Sequence, residues 1–114
     1  MRLVCFLLVF SISCCVFAIE KADRVLVEKS DGTLILLKNG EEIGSFSVVF
    51  GANPEGHKQQ QGDERTPEGR YILDYKKADS AFYKAIHISY PNRVDTEKAN
   101  KLGVSPGGAI MIHG

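Results

Sequence analysis

The sequence predicts a mainly β domain with one short helix and one long irregular loop. Three observations carry that class. Short runs rich in β-branched and apolar residues recur between Asp-Gly and Asn-Gly turns. The nineteen residues Gly51–Gly69 have almost no apolar side chains and hold four Gly and two Pro. Helix start and stop signals occur together at one place, around Asp95 to Gly103.

The chain begins with a segment that reads as an address. Arg2 gives it a positive start, Leu3 to Ile12 is apolar except for Ser11, and Val16-Phe-Ala18 is a small-x-small cleavage site. Residues 1–18 are therefore expected to be a signal peptide, leaving 96 of the 114 residues, Ile19–Gly114. The run falls short of the ~20 apolar residues that a membrane-spanning helix needs. An uncleaved anchor and a buried helix are the alternatives. Acylation at Cys14 or Cys15 is disfavoured, because neither is preceded by a leucine-type lipoprotein start. The expectation is an exported protein with no integral membrane span after cleavage.

All three cysteines, Cys5, Cys14 and Cys15, lie inside this segment. Residues 19–114 thus have no disulfide framework, no cysteine-ligated zinc and no cysteine nucleophile of their own. Cleavage removes only Arg2 from the 14 basic residues, so 13 face 14 acidic ones, a net charge of −1. With no basic stripe, nucleic acid is not an expected partner. The length allows one small core.

Arg24 to Lys29 reads as the first strand and Ser30-Asp-Gly32 as a turn; Thr33 to Lys38 is the second strand. Asn39-Gly40 is a hairpin signal, and Glu41 to Phe50 follows as a third strand through Ile43, Phe46, Val48 and Phe50. Gly44 within it suggests a bulge or a close backbone approach. Gly51–Gly69 is either a mobile surface loop or a functional one. Arg70 to Tyr75 is expected to be a strand, Lys76 to Ala81 a polar connection ending at Phe82, and Tyr83 to Tyr90 another strand. In that last strand Ile86, Ile88 and Tyr90 share one face, and Ala85, His87 and Ser89 the other. Asp95 or Thr96 would cap a helix through Leu102, stopped by Gly103. Val104 to Gly108 turns the chain into a final buried strand, Ala109 to Ile112, which delivers His113 at its end.

Three histidines survive in residues 19–114. A histidine at the end of a buried strand suits proton transfer, since imidazole titrates near neutral pH. His57, Asp63 and His113 form the one trio suggesting a zinc hydrolase, but no His-Glu-x-x-His pair is present. His87 reads as a strand residue that either packs or faces solvent. Lys58, Arg65 and Arg70 could hold a substrate carboxylate or be ordinary solvated charges. The Gly-rich loop lacks both phosphate-binding signatures, and Ser89 and Ser105 sit in no nucleophile turn.

Three blocks carry a resemblance: Gly51-Ala-Asn-Pro-Glu-Gly-His-Lys58, Gly62-Asp-Glu-Arg-Thr-Pro-Glu-Gly-Arg-Tyr71, and Ile110-Met-Ile-His-Gly114. Together they resemble the L,D-transpeptidase catalytic domain, the YkuD family, and in order and spacing its YafK-like, murein-acting branch. The likeness covers Val25 to Gly114. It implies a mostly β, sandwich-like fold in the periplasm or cell-wall space of a bacterium, working in peptidoglycan biosynthesis and cell-wall organisation.

The resemblance also implies a mechanism. A cysteine thiolate attacks the peptide bond after the meso-diaminopimelate of a tetrapeptide stem and forms a thioester. An amine of another stem, or of a wall-attached protein, then takes the acyl group; water as acceptor would make a hydrolase. No cofactor and no metal are needed. His113 and Gly114 match the family's His-Gly, with the histidine favouring the thiolate and moving protons.

One departure matters. The family's nucleophile lies downstream, in a (Ser/Thr)-x-Gly-Cys block that residues 19–114 do not contain. They are therefore expected to be a C-terminally incomplete catalytic domain, inactive alone, with a sheet edge left uncovered. A transpeptidase that continues past Gly114, a catalytically dead wall-binding remnant, and an unrelated secreted protein are the three readings that remain.

Overall fold

The structure, a computed structural model, describes residues 19, 21–77 and 84–114. The expected signal segment and most of the connection before Lys84 lie outside them. Within the described residues the chain forms two three-stranded antiparallel sheets and one helix. Among the described residues no helix is long and apolar enough to cross a membrane.

The first sheet is a meander of β1 (Arg24–Glu28), β2 (Thr33–Lys38) and β3 (Glu41–Ser47). Val25 lies opposite Leu36 and Val27 opposite Leu34, and all four are buried. Period-2 alternation on two paired strands makes one continuous apolar face, each full aliphatic burial stabilising by about 1.5–3 kcal/mol. The β2–β3 turn is Asn39-Gly40, with φ of 51° and 81°. Positive φ at both central residues matches the right-handed twist of the hairpin, as the sequence suggested.

The third strand carries the bulge that Gly44 suggested but ends sooner than expected. Leu36 lies opposite Gly44 but Leu37 opposite Glu42, so Ile43 is an extra, bulged residue beside Gly44. The bulge shifts the phase of the alternation. Ile43 is left 48% exposed, while Val48, past the strand's end, is buried. The strand stops at Ser47 rather than Phe50, and Val48 N–H bonds back to Gly32 O.

The second sheet is ordered β4 (Leu73–Lys77), β5 (Ala85–Ile88), β6 (Met111–His113). Its first strand begins three residues later than predicted and takes in Lys76 and Lys77, read above as connection. Ahead of it Ile72 N–H bonds the Ser89 hydroxyl rather than a backbone carbonyl, and the Tyr71 ring is buried with its hydroxyl on Asp95. Ile86, Ile88 and Tyr90 are buried together as predicted, although β5 itself spans only Ala85–Ile88. Ala85, on the opposite face, is buried as well.

Helix α1 (Arg93–Leu102) starts earlier than predicted. Asn92 is its N-cap, and Asp95, a proposed cap, is the third helical residue of a reciprocal capping box. Gly103, at φ 70°, ends it in the left-handed conformation, as expected. The last strand is displaced too. Ala109 has φ 57°, which breaks an extended run, so β6 is Met111–His113 and His113 belongs to the strand. Residues of both sheets, with Tyr71 and Tyr90, make one core cluster. Among the described residues β6 is the last strand of this sheet, paired with β5.

Candidate active site

His113 is placed by the ladder. It lies opposite Ala85, with Ile112 opposite Ile86 and Met111 opposite His87. Ile112 is buried, so the period of two puts His113 and Met111 on the other face of the strand, half-buried. His113 Nδ1–H donates to Gly114 O at 3.0 Å, which in the neutral ring leaves the proton off Nε2.

The segment delivering this strand rests on the Gly-rich loop. Gln61 N–H bonds Ser105 O at 2.8 Å, Tyr90 hydroxyl bonds Pro106 O at 2.8 Å, and Ile88 N–H bonds Ile110 O at 2.9 Å. Gly107, at φ 78°, lies against the loop: a Cβ there would stand 3.1 Å from Gln61 Cα and 3.4 Å from Lys58 Cε. Only glycine combines that backbone with that approach.

Asp63 organises the loop. Its carboxylate accepts from the Lys58 ammonium at 2.9 Å and from the N–H groups of Gln59, Gln60 and Arg65. Burial alone would raise its pKa. The Gln59 N–H, the Lys58 ammonium and the remaining N–H donors outweigh that and hold it at about 2. Lys58 also donates to Gln60 O.

A second network ties the loop to α1. His57 Nε2–H donates to Asp95 Oδ1 at 2.8 Å, while His57 Nδ1 accepts the Glu68 N–H at 2.7 Å. Tyr71 hydroxyl donates to Asp95 Oδ2 at 2.8 Å. Burial opposes the Asp95 charge, but the Asn92 N–H, Tyr71 and His57 together lower its pKa. Burial first, then the Asp95 charge, pushes the Tyr71 phenol well above its ordinary range. Burial, then Asp95 and Asp63, raises Tyr90 to about 12. Lys29 adds a third tie, donating to Gly56 O, Thr66 O and the Glu68 carboxylate. The loop is thus tied to the fold at three places, by Gln61, His57 and Lys29.

The predicted residues separate into different settings. Lys58 is buried on Asp63. Arg65 gives its N–H to Asp63, and its side-chain Nε is buried with no partner. Arg70 is exposed and lines a groove of about 810 Å³ between β1 and β4, floored by Tyr71, Leu73 and Ile86. His57, Asp63 and His113 are committed to separate networks, and no cluster of three ligand-type side chains suited to a metal occurs among the described residues.

Two features were not anticipated. The Asn92-x-x-Asp95 spacing could have signalled the capping box, but the Tyr71–Asp95–His57 network joins residues with no local signature. His87 Nδ1 lies 2.6 Å from Asp74 Oδ1, and its ring stacks on Tyr75 at 4.4 Å between centroids.

Residues 22–114 match the L,D-transpeptidase catalytic domain (YkuD) family. The chain belongs to that family. It is 35% identical over 96 residues to proteins named "Putative L,D-transpeptidase YafK" in Escherichia coli K12 and in Escherichia coli O157:H7, covering 79% of this chain. It spans 37% of the length of each of those relatives. No solved structure matches it. In this L,D-transpeptidase-family domain the first two resembling blocks meet through Lys58 and Asp63, and the loop they form supports the segment that leads into the third.

Proposed function

We propose that residues 19–114 are part of an exported cysteine L,D-transpeptidase in which His113 prepares a thiol supplied from outside this range. The substrate is a peptidoglycan tetrapeptide stem, cut after meso-diaminopimelate, and the acceptor is an amine of a second stem or of a wall-attached protein. The carrying observation is His113 itself, held half-buried on β6 opposite Ala85 and followed directly by Gly114.

The chemistry asked of His113 is simple. Its Nε2 removes the thiol proton, the thiolate attacks the stem carbonyl, and the imidazolium returns a proton to the leaving amine. A positioned imidazole contributes typically 10²–10⁴-fold to such steps. Gly114 keeps side-chain bulk away from the reacting sulfur. Arg70, exposed on its groove, and Arg65 are the side chains assigned to a stem carboxylate. Lys58 is occupied by Asp63 and supports the site from below. The site of action is the periplasm or cell-wall space.

The test is to read the coding DNA past codon 114, express the product and incubate it with a tetrapeptide stem. An in-frame (Ser/Thr)-x-Gly-Cys block and a thioester adduct by intact mass are the expected results. A stop codon directly after Gly114, with no adduct, would remove acyl transfer and leave a wall-binding protein. Release of free acid instead of a new amide would assign hydrolysis.

A further inference from the structure

The face of β5 and β6 that carries His113 also carries His87. His113 is opposite Ala85, and Met111 is opposite His87, so the two histidines are diagonal neighbours on adjacent strands. Such neighbours stand ~7–8 Å apart at the backbone, which leaves room between their rings for a reacting group.

His87 is built for proton transfer by a local irregularity. Leu73 lies opposite Ile88 and Tyr75 opposite His87, so Asp74 is an extra residue in β4. Strict alternation would send Asp74 and Tyr75 to opposite faces. The bulge instead lets both reach His87: the Asp74 carboxylate accepts from Nδ1–H at 2.6 Å, and the Tyr75 ring stacks nearly parallel, at 12°. An ionised carboxylate only accepts, so the proton sits on Nδ1 and the lone pair on Nε2. The His87 side chain is 15% exposed. Nε2 makes none of the hydrogen bonds that hold Nδ1, and the side chain that carries it keeps a route to solvent. A carboxylate holding Nδ1–H while Nε2 takes a proton is the division of labour in catalytic Asp–His pairs.

We infer that Asp74–His87 is a second proton-transfer unit of this site, with His87 accepting the proton of the incoming acyl acceptor and Asp74 as its positioning residue. This rests on the acyl-transfer reading above. In the second half-reaction the acceptor amine's lone pair forms the C–N bond to the thioester carbon. The C–S bond breaks with its electron pair leaving on sulfur, and the N–H proton passes to His87 Nε2. His113 then serves the sulfur and His87 the acceptor. The other charged or titratable side chains on or beside this face are Lys77, opposite Ala85, and Tyr75. A lysine there suits an anionic stem terminus.

Two measurements test it. In the 114-residue chain, nitrogen-15 spectra of neutral His87 should show the proton on Nδ1, and D74N should move it to Nε2. A proton on Nε2 in the wild type would overturn the inference. In the gene product that carries the thiol, the thioester should persist in H87Q, its transfer to an amine slowed about 100-fold more than its formation. D74N should act in the same direction, more weakly and with an altered pH profile. Equal slowing of both steps, or of neither, would overturn the role. Failure of the wild type to form any thioester would overturn the acyl-transfer reading itself, and this inference with it.

Discussion

Lys58 and Asp63 form an ion pair of 2.9 Å with both side chains less than a tenth exposed, directly beneath Gly107. The pair joins the two ends of a tight loop, and the segment leading to β6 lies on top of it. Removing one member strands the other charge in a site it cannot leave, which typically costs about 3–5 kcal/mol. K58M leaves Asp63 its three N–H donors, whereas D63N leaves the Lys58 ammonium with the Gln60 carbonyl and a neutral amide. D63N should therefore lower the urea midpoint more than K58M. The reverse order, or no change in either, would show that the pair does not hold the loop.

The same carboxylate sets an acid limit. Asp63 sits at about 2 in the fold against an ordinary 3.8, so folding favours its charged form. That contribution is fully present above pH 4 and is lost as pH falls through about 2. Converted by linkage it amounts to roughly 2 kcal/mol. Asp95, also lowered, adds in the same direction. Urea unfolding from pH 6 to 2 should show stability falling on the acid side, and D63N should flatten that fall. An identical pH profile in D63N would assign the acid sensitivity elsewhere.

Tyr71 and Asp95 offer a cleaner truncation. Y71F removes one hydroxyl from a buried carboxylate that still holds His57 and the Asn92 N–H. A hydrogen bond to a charged group contributes about 1.5–3 kcal/mol, and the loss should fall in that range. N92A, which removes the helix cap, should cost about 1 kcal/mol. Both are measured by chemical denaturation. A neutral Y71F would mean that water replaces the phenol without loss.

Gly107 reports on the seating of β6. G107A adds a Cβ at φ 78° and at 3.1 Å from Gln61 Cα. The left-handed backbone alone costs about 1–2 kcal/mol for a residue with a Cβ. A fall in Tm, with backbone amide shifts spreading from Gln61 to His113, is the expected result. Shifts confined to Gly107 and its two neighbours would mean that the loop does not position the strand.

The hairpins were legible before any coordinates were known. Asn39-Gly40 names its own turn, and Val25, Val27, Leu34 and Leu36 name their face through a period of two. Gly103 announced the helix end, and Ile86, Ile88 and Tyr90 announced the core face of β5. Strand limits were less legible. Tyr71 looked like a strand residue but turns inward to Asp95, and Ala109 looked extended but is left-handed. Lys58 looked like a free cation for substrate, because nothing in its local composition shows that Asp63, five residues on, folds back beneath it.

By itself the sequence determined what local chemistry determines: the alternating faces, the Asn-Gly and Gly103 punctuation, and the three blocks that carry family membership. Only the tertiary structure decided the bulge at Asp74, the buried charge pair and the face shared by His87 and His113. The physical reason is range. Turn geometry and side-chain period act over a few residues, whereas register and charge burial depend on which distant segment fills the space opposite. One extra residue, Asp74, re-aims a side chain and turns a strand histidine into half of an Asp–His pair.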